Sequence, residues 1–250
     1  MFILAGLGMN IEEIPCSVLE VIKKADYVFL EIYTNIPSKK LLEYLMNLRK
    51  DIKIVYRKFV EEELEDFIIK NKEKTIALLV FGNPLFATTH ISLLKFCKEN
   101  KIDFKVILSS SIYDHIAKTG LFIYKFGKTV SIPFHESDIP YKVIKENLSI
   151  GAHTLLLLDI DTEKSKYLSI REAIERLISL ENKFREGIID LNKKIIICER
   201  LGFEDEKIYY VSLKKAMEFE YNYPVCIIYP SDLNPIEKEI LKCMSYFYEE

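Results

Sequence analysis

The chain has 250 residues, 49% of them hydrophobic and 29% charged, with only 8 Gly and 8 Pro. That composition excludes disordered, collagen-like and low-complexity classes and suffices for a sizeable core. Thirty-five basic against 38 acidic residues leave a net charge of -3, so the overall balance marks no nucleic-acid-binding surface. Five cysteines, Cys16, Cys97, Cys198, Cys226 and Cys243, are scattered without a CxxC pair, which excludes zinc-ribbon and thiol-exchange motifs and fits reduced thiols in a cytoplasm. The apolar start, residues 2–9, lacks a basic leader and is too short to span a bilayer, and the run at 155–158 stops at Asp159, so a soluble, unprocessed protein with no membrane partner is expected.

Residues 2–5 form an apolar run closed by Gly6-Leu7-Gly8, and beyond Pro15 the apolar positions Val18, Leu19, Ile22 and Ala25 recur at helical spacing, a strand, a glycine turn and a helix. The pattern repeats with strands over 27–32, 52–56, 75–81 and 104–108 and helices over 38–48, 61–70 and 89–99. Continuously apolar strands alternating with helices predict a parallel sheet covered on both faces. The acidic cluster Glu61, Glu62, Glu63, Glu65 and Asp66 suits a solvated helix N-terminus. From Lys128 the pattern changes, with short strands over 128–132, 153–160, 194–199, 209–212 and 225–229 separated by helices over 141–149, 169–181 and 235–248. That half reads as a mixed sheet with its own helices, joined to the first through residues 111–127.

Three strand ends carry residues suited to a ligand. Gly6-Leu7-Gly8 lacks the third glycine of a dinucleotide fingerprint, Ile11 standing in its place, although Glu31 lies about 20 residues on, where a ribose-binding acid would fall. Alone, it reads as a tight turn. The stretch Phe81-Gly82-Asn83-Pro84-Leu85-Phe86-Ala87-Thr88-Thr89-His90 is a second glycine loop, and Ser109-Ser110-Ser111 closes the next strand with small hydroxyls. Loops at the carboxyl ends of neighbouring parallel strands are where open α/β sheets bind ligands. Metal chemistry finds no motif, since His135-Glu136-Ser137-Asp138-Ile139 lacks a second histidine. His90 and His153 read as hydrogen-bonded structural residues. Neither GxSxG nor a Walker-type loop occurs. The aromatic stretch at 122–128 reads either as lining for a cleft or as packing at the domain join.

Together these segments resemble the diphthine synthases, a family within the class that also holds the tetrapyrrole methylases. The resemblance covers nearly the whole chain, through Gly6-Leu7-Gly8, Glu31-Ile32-Tyr33-Thr34, Gly82-Asn83-Pro84-Leu85, Ala87-Thr88-Thr89-His90, Ser111-Ile112-Tyr113, Ile123-Tyr124-Lys125-Phe126-Gly127-Lys128, and His153-Thr154-Leu155-Leu156 with Leu158-Asp159-Ile160. It implies two α/β domains of the tetrapyrrole methylase type, residues 1–112 with a parallel sheet and 113–250 with a mixed one, and S-adenosyl-L-methionine in the cleft between them. By motif, the cofactor contacts fall on Met9, Asn83, Phe86, Ser111, Ile112, Leu158, Leu201 and Val225. Two residues depart from the pattern: Asn83 stands for the usual Asp, and Pro224-Val225 for Pro-His. Restoring the carboxylate by Asn83→Asp is expected to tighten cofactor binding by on the order of 1 kcal/mol. The resemblance further implies a cytoplasmic homodimer that methylates the aminocarboxypropyl-modified histidine of elongation factor 2, with no metal and no nucleic acid. Lys125, Lys128, Tyr124 and Tyr113 are candidates for the substrate carboxylate, and no residue stands out as the base. The alternatives are a tetrapyrrole methylase and a non-catalytic homologue that binds the elongation factor.

Overall fold

A strand buried on both faces needs apolar side chains in both directions, and the central strands of the first unit meet that demand along their whole length. The computed structural model describes residues 1–250. In chain order the unit contains β1 (Phe2–Gly6), α1 (Cys16–Lys24), β2 (Tyr27–Glu31), α2 (Lys39–Leu48), β3 (Lys53–Val55), α3 (Leu64–Lys70), β4 (Ile76–Val80), α4 (Ile91–Glu99) and β5 (Phe104–Ile107). The sheet order is β3-β2-β4-β1-β5, with every pairing parallel. Alternate side chains of β1 leave by opposite faces. Ile3 and Ala5 join Ala77 and Leu79 in a core closed by Val18, Ile22, Leu41 and Leu45 from α1 and α2. Phe2 and Leu4 join Leu78 and Val80 against Leu64, Ile68, Leu93 and Cys97 from α3 and α4. Each helix contributes residues four apart, the spacing of one helical face. Truncating one such leucine to alanine costs roughly 2–5 kcal/mol.

Glu61, Glu62 and Glu63 are exposed on a π-helical turn, Phe59–Glu63, leading into α3, as expected of acids at a helix start. After the short α5 (Ile112–His115) come β6 (Val130–Ile132), α6 (Ile139–Ser149), β7 (Thr154–Leu158), β8 (Ile160–Asp161), β9 (Lys166–Tyr167), α7 (Ile170–Phe184), β10 (Lys194–Glu199), β11 (Lys207–Ser212), α8 (Leu213–Ala216), β12 (Val225–Tyr229), α9 (Pro235–Met244) and β13 (Phe247–Tyr248). Six of these strands form a sheet in the order β13-β11-β10-β12-β7-β6. It is mixed, parallel at β6/β7 and β11/β13 and antiparallel between. Ser169 and Glu172 close a reciprocal capping box on α7, satisfying two amide hydrogens that a helix start leaves without intrahelical partners.

By contacts the chain divides into Met1–Asp114 with Thr162–Lys164, and His115–Asp161 with Ser165–Glu250. The helix expected over 235–248 stops at Met244, and Phe247–Tyr248 become an edge strand on β11. Ring contacts of Phe247 with Phe219 and of Tyr248 with Tyr210, at 5.2 and 4.9 Å between centroids, draw the end of the chain out of the helix. The β8/β9 hairpin and the single-turn α8 are additions to the expected elements. No helix is long and apolar enough to cross a membrane.

Candidate functional site

In the first unit, the order β4-β1-β5 sets the loops after three parallel strands side by side. Glycine allows two of them to touch. A Cβ on Gly6 would lie 2.6 Å from the Gly82 carbonyl oxygen and 2.8 Å from Pro84 Cδ. Gly82 donates its amide hydrogen to the Gly8 carbonyl at 2.9 Å. Gly8 and Gly82 have φ of 76° and 78°, a left-handed conformation that penalises any side chain. Crowding is not the constraint at Gly82: a Cβ there would approach Met9 Sδ, Ser110 O and Ser111 Cα no closer than 3.7 Å. The Gly6-Leu7-Gly8 turn is thus structural, while at Gly82 a Cβ would make ordinary contact with Met9, Ser110 and Ser111, and the constraint is the left-handed backbone.

Asn83 is buried and uses both ends of its amide. Its Nδ2 donates to the Ser109 carbonyl at 3.1 Å, and its Oδ1 accepts from the Leu85 amide at 3.0 Å. The side chain therefore ties the β4 loop to the β5 loop. His90 is held nearby, Nδ1 at 3.1 Å from the Pro84 carbonyl and Nε2 at 3.3 Å from the Tyr33 hydroxyl. Because a carbonyl only accepts, Nδ1 carries the hydrogen and Tyr33 donates to Nε2. Burial pushes the His90 pKa down, so His90 is a neutral structural residue, as its sequence context suggested.

The three serine hydroxyls are engaged within the chain. Ser109 donates to the Glu13 carbonyl at 3.0 Å, Ser110 donates to the Glu13 carboxylate, and Ser111 donates to Asp114 at 3.1 Å. Each oxygen retains acceptor capacity, so this edge offers acceptors to a ligand that donates. Glu13 also accepts from the Met9 amide at 2.9 Å and from Asn10 Nδ2 at 2.7 Å. Sequence reasoning missed it, since its serine partner lies 97 residues away. Glu31 is wholly buried and accepts from the amides of Tyr33 and Thr34, both at 3.2 Å, and from the Thr34 hydroxyl. Burial pushes its pKa up to about 7, against these donors and Arg57. A carboxyl this enclosed faces no ribose directly, which removes the dinucleotide reading of Glu31. A cavity of about 280 Å³ opens beside His90, lined by Val60, Glu61, Glu65, Thr89, Ser92 and Leu93. None of the expected cofactor residues lines it.

Of those residues, Met9, Asn83, Phe86, Ser111 and Ile112 all lie just beyond β1, β4 and β5. Met9, Asn83 and Ser111 are buried, whereas Phe86 is exposed and meets Tyr113 edge-on at 5.2 Å. In the second unit, Leu158 ends β7, Val225 begins β12, and Leu201 follows β10. The order β10-β12-β7 puts all three at one edge of that sheet, and Arg200 donates its amide hydrogen to the Pro224 carbonyl at 2.8 Å.

The substrate-contact candidates fare differently. Lys125 Nζ is 2.9 Å from Glu237 Oε2 and 2.5 Å from the Asp232 carbonyl. Glu237 is fully buried and also receives His153 Nε2 at 3.0 Å and the amides of Phe122 and Asn234 at 3.1 and 3.0 Å. Burial pushes Glu237 up, but Lys125, His153 and the two amides outweigh it and hold the carboxyl at about 2. His153 Nδ1 accepts from the Ser231 amide at 3.1 Å, which fixes the neutral tautomer with hydrogen on Nε2. Lys125 is thus a structural cation, its charge answered inside the fold, and not a free anchor for a carboxylate. Lys128 pairs with Glu146 at 2.5 Å on the surface. Tyr124 is 85% exposed and stacks on Phe122 at 5.3 Å.

A parallel α/β unit with close-packed glycine turns at its carboxyl edge, followed by a mixed α/β unit, defines the architecture. The sequence profile of the Tetrapyrrole (Corrin/Porphyrin) Methylases matches residues 1–216. A diphthine synthase of Methanococcus vannielii is 37% identical over 256 residues, spanning 100% of this chain and 99% of its own. One of Methanocaldococcus jannaschii is 38% identical over 251 residues, 97% of this chain and 98% of its own. A crystal structure of diphthine synthase matches with a TM-score of 0.83 at 27% identity, covering 98% of this chain and 96% of that one. The chain belongs to the tetrapyrrole methylase family, among its diphthine synthases, and is an S-adenosylmethionine-dependent methyltransferase.

Proposed function

We propose that this chain transfers methyl groups from S-adenosylmethionine to the amino group of the aminocarboxypropyl-modified histidine of elongation factor 2, as a cytoplasmic homodimer. The full-length match to diphthine synthases at 37% identity carries the reading. The strand edge of the first unit supports the reading, because the loops after β4, β1 and β5, which carry Met9, Asn83 and Ser111, stand side by side there. Met9, Asn83, Phe86, Ser111 and Ile112 from residues 1–112, with Leu158, Leu201 and Val225 from 113–250, are the residues assigned to it. The serine hydroxyl oxygens and the backbone carbonyls at this edge accept hydrogen bonds from the donors of a bound ligand. At Val225 a backbone contact survives the replacement of the family's histidine, whereas a side-chain contact does not.

The cofactor supplies an activated sulfonium methyl, so the protein's work is alignment of nucleophile, methyl and departing sulfur and exclusion of water. Chemistry also makes the earlier modification obligatory, since a bare imidazole lacks the flexible primary amine that must reach the methyl in line. Incubating the chain with methyl-labelled cofactor and the two forms of elongation factor 2 tests this. Label is expected on the aminocarboxypropyl-bearing form alone. Equal label on the unmodified factor, or label on a tetrapyrrole and on neither protein, overturns the assignment. Binding of the factor without any label would mark a non-catalytic homologue.

A further inference from the structure

The methyl acceptor is an amine that is an ammonium ion near neutral pH, and an ammonium has no lone pair with which to attack. Some group must take its proton, and nothing in the sequence singled one out. At the carboxyl edge of the first unit, Glu13 is taken up by the Met9 amide, Asn10 and Ser110, and Glu31 is the wholly buried carboxyl. Glu31 ends β2, next to β4 in the sheet, and its side chain is wholly enclosed. Its side-chain partner is the half-buried Thr34, whose hydroxyl donates to Glu31 Oε1. Asn35, the next residue, brings Nδ2 to 3.8 Å from Met9 Sδ, and Met9 is one of the residues assigned to the cofactor. Thr34 is thus one residue from a contact with a residue assigned to the cofactor, while Glu31 is wholly buried beside it.

We infer that Thr34 and Glu31 form a two-group proton relay, in which the Thr34 hydroxyl receives the proton of the acceptor ammonium and Glu31 stores it. This rests on the methyltransferase reading above. In the transfer, the ammonium N–H bond breaks and a new O–H bond forms at Thr34 Oγ1. At the same moment the original Thr34 hydroxyl hydrogen passes to Glu31 Oε1, converting carboxylate to carboxylic acid. The freed nitrogen lone pair forms the N–C bond to the methyl, and the C–S bonding pair leaves with sulfur, which becomes a neutral thioether. Glu31 later returns its proton to water through Thr34.

The surroundings suit the task. Enclosure raises the Glu31 pKa to about 7, and a base is most effective when its pKa lies near the working pH. The charged and titratable groups facing this corner are Arg57 after β3, whose guanidinium lies 5.3 Å from the Tyr33 ring centroid, Glu61 ahead of α3, Tyr33 itself, and the neutral His90 before α4. Arg57 favours the carboxylate, but burial outweighs it. Thr34 touches substrate in this scheme and Glu31 acts through it, as a positioning residue and proton store.

Three variants, Thr34→Ser, Thr34→Val and Glu31→Gln, test the relay by the pH profile of single-turnover methyl transfer, by calorimetric cofactor binding and by infrared titration of the carboxyl. The wild-type rate is expected to rise with pH to a plateau, with an inflection near the Glu31 pKa of about 7. Thr34→Ser keeps rate and inflection, while Thr34→Val and Glu31→Gln lose the inflection and roughly 100-fold in rate, with cofactor affinity unchanged. A carboxylic-acid absorption that disappears near pH 7 in the wild type, persists to higher pH in Thr34→Val because the hydroxyl that favours the carboxylate is gone, and is missing in Glu31→Gln, is the readout independent of activity. A Thr34→Val enzyme with the wild-type rate and profile, a Thr34→Ser enzyme as slow as Thr34→Val, or a Glu31 carboxyl that titrates like a free glutamate overturns the relay and leaves the methyltransferase reading standing. No methyl transfer by the wild type to the modified factor overturns both. If Glu31→Gln fails to fold, the Thr34 pair and the wild-type infrared titration decide.

Discussion

Asn83 shows how a single amide can reverse an expectation drawn from resemblance. A carboxylate at this position was expected to tighten cofactor binding, but the structure spends the amide nitrogen on the Ser109 carbonyl and the amide oxygen on the Leu85 amide. An ionised Asp has acceptors only. Asn83→Asp would keep the Leu85 bond and set a carboxylate oxygen against the Ser109 carbonyl, at a cost of roughly 1–3 kcal/mol. The variant should therefore unfold at lower urea and bind S-adenosylmethionine more weakly at neutral pH. A protonated Asp can donate to Ser109 again, so its folded-state pKa lies above the unfolded value. The sign follows: the variant's deficit is small below the unfolded pKa of about 3.9 and grows as pH rises through the folded one. Urea titrations at about pH 4 and about pH 7, compared with wild type, check this, and a deficit independent of pH would rule out the carboxylate–carbonyl conflict.

At the scale of elements, Glu237 fastens the 122–127 segment to the first turn of α9 through Lys125 and the Phe122 amide, with His153 closing the cluster. Its carboxyl is held at about 2, below the ordinary glutamate value of 4.5. A depressed carboxyl contributes stability that is complete above the unfolded pKa and lost as pH falls through the folded one. That contribution, up to about 3 kcal/mol at 1.36 kcal/mol per pKa unit, should disappear between about pH 4.5 and about pH 2. Glu237→Gln should lower the thermal midpoint at neutral pH and flatten its fall over that acid window. An unchanged acid slope would show that other carboxyls set it. The same cluster explains what the sequence could and could not reveal. The strands and helices of the first unit were legible because apolar runs bounded by glycine or proline, and helical faces such as Leu41 with Leu45, are local signals. Lys125 looked like a free cation among aromatics because its partner lies 112 residues further on. Glu13 was invisible for the same reason. Residues 245–248 continued the spacing of α9, and the distant pairing of Phe247 and Tyr248 with Tyr209 and Tyr210 on β11, with their ring contacts, makes a strand of those two residues instead. Likewise, the residues proposed for the cofactor come from motifs, whereas the Thr34–Glu31 pair carries no motif of its own chemistry and emerges from burial.

At the scale of the whole molecule, the cysteines report on each unit separately. Cys16 and Cys243 are exposed, while Cys97 is on the buried face of α4, and Cys198 and Cys226 face each other across β10 and β12. Burial pushes the Cys97 thiol up to about 11, and the Cys226 thiol together with burial raises Cys198 as well. Thiolate, not thiol, attacks a disulfide reagent, so enclosure protects all three and a raised pKa adds to it at Cys97 and Cys198. In the native protein a thiol reagent should therefore modify two cysteines rapidly and the other three only on unfolding. Cys97 belongs to the unit whose strand edge carries Met9, Asn83 and Ser111. A ligand that binds only the folded state stabilises it by about 2.7 kcal/mol at 100 times its dissociation constant. Adding S-adenosylmethionine should thus shift Cys97 labelling to higher urea, read by mass spectrometry of alkylated peptides. Rapid native labelling of Cys97, or a labelling midpoint that ignores saturating cofactor, would contradict the placement of the cofactor on this edge.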